Sequence, residues 1–204
     1  EQLEYFRTLT DPALKSHGGR RKLTAMLLKA ATATADFYLS NSCTDGVPIW
    51  DTGAPQLYRL GNYLAKRSDP CNDFEPIDSS AGAIAAQGLI RLGNYLINAG
   101  KKLDGNRYRQ AGLTVANTLL QEPYLSTDAK HQGVLLHSVY HRPNGWDYIP
   151  HGRKIPCGES SMWGDYHMRE LALLLLREAR GENYLTFFTR NMQTLEYITP
   201  FDKN

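Results

Sequence analysis

The sequence predicts an all-α chain built from helices of two kinds. Three observations carry that prediction. First, Ala81-Gly82-Ala83-Ile84-Ala85-Ala86-Gln87-Gly88 has small residues on every side. Neighbours therefore approach closely all round it, as in the inner layer of a helical barrel. Second, the next helical stretch is amphipathic, with Tyr108, Gly112, Val115 and Leu119 in phase, which suits an outer layer facing solvent on one side. Third, alternating strand-like patterns are few along the 204 residues.

Taken in order, residues 1–19 are mixed and end in the loop signal Ser16-His17-Gly18-Gly19. Arg20 to Ser40 has a helical period, placing Leu23, Leu27, Ala30, Thr34 and Phe37/Tyr38 on one face. The run Gly46-Val47-Pro48-Ile49-Trp50-Asp51-Thr52-Gly53-Ala54-Pro55 excludes a regular helix through its prolines and glycines. Residues 56–77 read as an insertion loop, with a short helix over Gln56 to Lys66. Its Arg59-Leu60-Gly61-Asn62-Tyr63-Leu64 recurs as Arg91-Leu92-Gly93-Asn94-Tyr95-Leu96, but the flanks do not repeat, so coincidence is the better reading.

Asp78-Ser79-Ser80 caps a helix from Ala81 to Asn98, and Gly100 closes it. A further helix runs from Asn106 to Gln121 and stops at Pro123. His131 to Tyr140 reads as extended, leading into a Pro/Gly/Trp-rich loop from His141 to Gly158. Ser160 or Ser161 then caps a helix that opens with Trp163-Gly164-Asp165-Tyr166. Gly164 costs that helix about 1 kcal/mol against Ala, so something is expected to pack close there. Leu173 to Leu176 is apolar all round and predicts burial on several sides. A peripheral helix is expected over Asn183 to Ile198.

Composition narrows the function. With 23 basic and 21 acidic residues the net charge is +2, so no electrostatic case arises for nucleic acid or a membrane surface. Arg20-Arg21-Lys22 reads as a solvated helix end. No apolar run approaches the ~20 residues of a membrane span, and Glu1-Gln2-Leu3-Glu4 does not read as a signal peptide. Cys43, Cys71 and Cys157 form no CxxC pair, which argues against a disulfide framework or a zinc site and leaves one disulfide open. His131, His151 and His167 lack metal-site spacing with carboxylates, and there is no GxSxG elbow or phosphate loop.

Several polar and aromatic groups stand out. Trp50-Asp51, held in a stiff loop, either lines a site or covers the core edge and caps a turn. Asp165 reads as a carboxylate holding backbone or a hydroxyl at a helix start, Asp78 as a cap, and His137 as a core or hydrogen-bonded group. Tyr140 and Trp146 offer stacking faces at the start of the 141–158 loop.

Four segments, in order, resemble motifs of one family. Ile49-Trp50-Asp51-Thr52-Gly53-Ala54-Pro55 is similar to a "W-D-x-x-A-P" loop, and Asp78 to Leu89 to a "D-S-S-A-A-A-I-A-A-x-G-L" helix start. Gly133-Val134-Leu135-Leu136-His137 with Tyr140 resembles "G-x-L-x-H-x-x-Y". Trp163 to Tyr166 with Glu170 and Leu171 resembles "W-G-D-Y-x-x-x-E-A-L". The family is the unsaturated glucuronyl hydrolases, glycoside hydrolase family 88, and the resemblance covers roughly residues 20–180 of this chain.

The resemblance implies about half, the C-terminal half, of an (α/α)6 barrel, carried as a single domain over 1–204. It implies an enzyme that releases a 4,5-unsaturated uronic acid from lyase-generated oligosaccharides by hydrating an enol-ether double bond. No metal or organic cofactor is implied. The family's two catalytic aspartates lie in motifs this chain lacks, so Asp51, Asp78 and Asp165 are not relabelled as that pair. By position, Tyr140, His141, Arg142 and Trp146 fall where the leaving sugar is met, with Trp50 and Asp51 as further substrate-binding candidates. Where sulfate-accepting members carry Ser-x-x-Ser-x-Lys, this chain has His141, Asn144 and Trp146, which argues against a dedicated sulfate pocket. The expected partners are an unsaturated uronic-acid oligosaccharide and either a missing N-terminal half or a second copy. The compartment expected by analogy is the cytoplasm. A rhamnogalacturonyl hydrolase and a non-catalytic helical carbohydrate-binding or partner module are the alternative readings.

Overall fold

The computed structural model describes residues 1–188. Its helices are α1 Gln2–Thr8, α2 Asp11–Leu14, α3 Gly19–Ser40, α4 Ser79–Asn98, α5 Lys102–Leu119 and α6 Met162–Ala179. Among the described residues β pairing is limited to isolated bridges, Ser42 with Pro48, Ile49 with Ile77 and Leu125 with Leu135. The chain divides into two compact units, one of Glu1–Ala30 with Leu173–Asn204 and one of Ala31–Ala172. No helix among the described residues is long and apolar enough to cross a membrane.

The larger unit is organised on the α4–α5 hairpin. Asp78 caps α4 by accepting from the Ser80 amide at 3.0 Å. Gly100, at φ +82°, ends it in the left-handed conformation, and Lys101 N–H returns to the Leu96 carbonyl at 2.9 Å. The two helices touch backbone to backbone. A Cβ on Gly93 would lie 2.7 Å from Arg109 N and from the Gly105 carbonyl, and one on Gly112 would lie 2.9 Å from the Ala86 carbonyl. Around that contact Ala83, Ala86, Ile90, Val115, Ala116 and Leu119 are buried, but the close approach expected all round residues 81–88 is limited to one side: Ile84 and Gly88 are exposed, and a Cβ on Gly88 would meet nothing within 4 Å. On the same unit Tyr108 donates to Asp36 of α3 at 2.9 Å, and Arg107 pairs with the same carboxylate at 2.9 Å.

Two other packing expectations need correction. The α3 face predicted from Leu23 to Phe37/Tyr38 packs only in part: Leu23, Leu27 and Tyr38 are half-buried, but Ala30, Thr34 and Phe37 are exposed, Phe37 by 59%, while Ala35 is buried. The run from Ala30 to Ala35 is all Ala and Thr, so side-chain size does not mark which side packs. In α6 one stripe is buried, Gly164, Asp165, Met168, Leu171 and Leu174, at helical spacing. Leu173 and Leu176 are exposed, so the leucine run packs on one side rather than several.

Residues 57–60 and 63–65 form 3-10 turns in place of the short helix expected over 56–66. The hexapeptide Arg59–Leu64 is therefore turn-like here and helical as Arg91–Leu96 in α4, which supports coincidence over repetition. The segment expected to be extended over 131–140 pairs only around Leu135 and is broken by His137, whose φ is +66°. Leu136 N–H donates to the Tyr124 carbonyl at 2.7 Å and Ser126 N–H to the Val134 carbonyl at 2.9 Å.

In the smaller unit, Arg177 ties the end of α6 to the following turn, donating to the Asn183 carbonyl at 2.6 Å and pairing with Glu182 at 3.4 Å. Tyr184 donates to Glu4, and Phe187 N–H donates to Glu1 at 2.7 Å. Most of the helix expected over 183–198 lies outside the described residues.

Candidate functional site

The start of α6 is an architectural joint. Ser161 caps the helix by accepting from Gly164 N–H at 3.0 Å, while Ser160 donates instead to the Leu135 carbonyl at 2.7 Å. Gly164 lacks a side chain because Ser138 and Ser80 pack against it. A Cβ there would lie 2.5 Å from Ser138 Oγ and 3.3 Å from Ser80 Cβ. One turn on, the buried carboxylate of Asp165 accepts from Val134 N–H at 2.9 and 3.0 Å and from Leu135 N–H at 2.9 Å. It therefore holds the 131–140 segment against α6.

Asp78 is the second joint. Besides capping α4, its Oδ1 accepts from Ser80 Oγ at 2.6 Å and from Val139 N–H at 3.3 Å. Its own N–H donates to the Pro48 carbonyl at 3.0 Å. The Trp50 loop and the segment entering Tyr140 thus hang from one helix start. Burial raises the Asp78 pKa, and hydrogen bonds from Ser80 and Val139 work against that rise.

His137 is the third. It sits at φ +66°, a left-handed conformation that costs a residue with a Cβ of order 1 kcal/mol. Its carbonyl accepts from Ser79 N–H at 3.1 Å and its Nδ1 from Gly158 N–H at 2.9 Å. Accepting at Nδ1 puts the ring proton on Nε2. Burial drives its pKa down to about 4, against the opposing effect of a bond to the Pro123 backbone. The imidazole is neutral at neutral pH and clamps the far end of the 141–158 loop.

Between these joints the loop turns outward and displays aromatic rings. Asp147, itself buried, accepts from the Tyr140 amide and from the His141 amide at 3.0 Å, closing the loop on itself. A 3-10 turn over Arg142–Asn144 ends at Gly145, φ +65°. His141 Nδ1 accepts from Asn144 N–H at 3.3 Å. The Tyr140 ring stacks on Trp163 of α6, with centroids 5.2 Å apart and planes 20° apart. On another side it meets Trp146 at 5.8 Å, and His141 meets Trp146 at 4.9 Å. Tyr140 is 52% exposed and Trp146 61%. Four rings thus share one solvent-facing platform whose backbone is fixed by a buried carboxylate.

Of the candidate residues, Tyr140, His141 and Trp146 come together on this platform, and the half-buried Arg142 lies on the turn between them. Trp50 and Asp51 stand apart: among the described residues no hydrogen bond or ring contact joins them to it. Trp50 Nε1 donates to the buried carboxylate of Glu75 at 2.8 Å, and the same carboxylate takes the Gln56 amide at 2.7 Å. Asp51 accepts from Gly53 N–H at 2.6 Å in a tight turn and is exposed. Trp163 and Asp147 are the members that sequence reasoning did not assign to the site. The local signal was Trp146-Asp147-Tyr148, a second Trp-Asp pair in a Gly/Pro-rich loop. Among the described residues no group of three or more His, Cys, Asp or Glu is placed to hold a metal ion.

No protein-family model and no curated protein matches the chain. Solved structures do. The unsaturated glucuronyl hydrolase of Bacillus sp. GL1, responsible for the degradation of glycosaminoglycan, is 28% identical with a TM-score of 0.56, over 76% of this chain and 34% of that one. A UGL variant with dGlcA-Glc-Rha-Glc is 28% identical with a TM-score of 0.55, over 76% and 34%. An unsaturated glucuronyl hydrolase specific for heparin shares the fold at 21% identity and a TM-score of 0.55, over 79% and 36%. The chain spans about a third of the length of these hydrolases, and its helices are part of the (α/α)6 toroid of that fold. By fold and by motif together, the chain is similar to part of the unsaturated glucuronyl hydrolases.

Proposed function

We propose that this chain is the C-terminal part of an unsaturated glucuronyl hydrolase and supplies the wall that holds the leaving sugar. The observation that carries the proposal is the exposed Tyr140–Trp146–Trp163 platform, braced by Asp147. Aromatic faces with polar edges suit a sugar ring, which has apolar C–H faces and a hydroxyl rim. Arg142 and His141 flank the platform and suit an anionic or hydroxylated substituent.

The reaction proposed is hydration. A carboxylic acid protonates C4 of the 4,5-unsaturated uronic acid, and water adds at C5. The resulting hemiketal opens and releases the remaining sugar. Asp78 and Asp165 are poor candidates for that acid, since both carboxylates are occupied by backbone amides. The acid is therefore assigned to an N-terminal segment outside this chain, which would also cover the exposed apolar side chains of α4 and α5. Self-association is the other means of covering them.

The test is loss of enol-ether absorbance when the complete gene product meets unsaturated glucuronyl and rhamnogalacturonan disaccharides. Consumption of the glucuronyl substrate is expected. Consumption of the pectin-derived one alone would move the assignment to the rhamnogalacturonyl hydrolases. Sugar binding without turnover of either would make the protein a carbohydrate-binding module.

A further inference from the structure

The 56–77 stretch and the 141–158 loop meet at the C-terminal arm of that loop, beyond the platform rings. Arg153 Nη1 donates to the Cys71 carbonyl at 3.2 Å, and Lys154 Nζ pairs with Asp73 at 2.8 Å. These contacts lay the Cys71 segment against the one that leads to Cys157. Cys71 is close enough to help raise the Cys157 pKa, and both are free thiols. Cys71 is exposed and Cys157 half-buried. The third cysteine, Cys43, is buried, and burial together with Asp45 pushes its thiol up to about 12. A thiol so protonated takes no part in exchange near neutral pH.

We propose that Cys71 and Cys157 form a reversible disulfide that clasps the 56–77 stretch to the platform loop. A low-molecular-weight disulfide is the oxidant. The exposed Cys71 thiolate attacks one of its sulfurs, breaking that S–S bond and releasing one small thiol. The Cys157 thiolate then attacks the Cys71 sulfur of the mixed disulfide and releases the second. Two protein thiols lose two electrons and two protons in all, and the oxidant becomes two thiols. Arg153, bound beside Cys71, lowers the Cys157 pKa, which opposes the rise caused first by burial and then by Cys71.

The clasp lies next to the groups that hold the platform loop. Gly158, the neighbour of Cys157, donates to His137 Nδ1 at 2.9 Å. The Glu159 carboxylate accepts from Tyr148 N–H at 2.8 Å, and the Glu159 carbonyl accepts from Ser138 N–H at 3.0 Å. Closing the disulfide fixes the C-terminal arm of that loop. An exposed cysteine exchanges readily, so the bond belongs to the labile, switching class rather than the buried structural one.

The test equilibrates the folded chain with oxidised or reduced glutathione, alkylates the remaining thiols, and maps peptides by mass spectrometry. The expected product is a Cys71–Cys157 cross-linked peptide, with Cys43 alkylated only after unfolding. Oxidation should raise Tm by about 4–16 °C. Cys71→Ser and, separately, Cys157→Ala should each abolish both the link and the shift. Separate glutathione adducts on Cys71 and Cys157, a link through Cys43, or a Tm shift that survives in either variant would overturn the proposal.

Discussion

Replacing Asp165 by Ala separates an architectural carboxylate from one that touches substrate. Asp165 is 8% exposed, and its carboxylate bonds two backbone amides, Val134 N–H through both oxygens and Leu135 N–H through one. Hydrogen bonds to a charged acceptor contribute about 1.5–3 kcal/mol each, and an orphaned buried donor costs a similar amount. Two amides therefore give a loss of about 3–5 kcal/mol, a large share of the ~5–15 kcal/mol that stabilises an ordinary domain. Arg169 stands 3.8 Å away on the exposed side and adds little. Asp165→Asn keeps one acceptor oxygen and turns an NH2 group toward the other amide, so its loss should fall between Ala and wild type. Urea unfolding followed by circular dichroism measures both variants, with an unchanged m-value confirming the same unfolding. A loss below about 1 kcal/mol for Asp165→Ala, or wild-type stability with sugar binding abolished, would refute the architectural assignment.

Other consequences follow from the same contacts. Gly93→Ala should cost about 1–3 kcal/mol by forcing α4 and α5 apart, since the new Cβ would meet backbone at 2.7 Å. An unchanged Tm would show that the helices are not in backbone contact. His137 gives a pH signature. Its folded pKa is depressed to about 4 from 6.5, so its contribution is complete above about pH 6.5 and is lost as pH falls through 4. The full span is roughly 3 kcal/mol. His137→Asn, which tolerates the left-handed backbone, should remove that component from a stability profile between pH 7 and pH 4; an identical profile would contradict it. Ile84 on α4 and Leu103 on α5 are 46% and 85% exposed, so size-exclusion of the isolated chain should show concentration-dependent association. A monomer that binds no apolar dye would contradict the assignment of a covering segment.

The helices were legible where residue size or capping chemistry was decisive. Asp78-Ser79-Ser80 announces the start of α4, and its small residues announce close packing, though not that Ile84 and Gly88 would stay exposed. A serine cap at Ser160 or Ser161 and the backbone-holding role of Asp165 were legible, but only the structure separates the cap, Ser161, from Ser160. The packed side of α3 was not legible, because alanine and threonine at successive positions carry no contrast. The leucine run of α6 misled for a related reason: composition does not reveal how many sides a chain covers. At the platform, Tyr140, His141, Arg142 and Trp146 were found by motif and position. Asp147 and Trp163 were missed because their contacts depend on tertiary geometry, one on the curl of a loop and the other on a helix elsewhere in sequence.

The proposed function requires the Tyr140–Trp146–Trp163 platform to bind a sugar. Titration of the chain with an unsaturated glucuronyl disaccharide, followed by tryptophan fluorescence, tests it most directly. Two of the three tryptophans lie on the platform and the third, Trp50, is bonded elsewhere. Saturable quenching is expected, weakening at least about tenfold in Trp146→Ala, the loss of roughly one stacking contact of 1.4 kcal/mol or more. Equal affinity in wild type and Trp146→Ala, or no response from the wild-type chain, would contradict it.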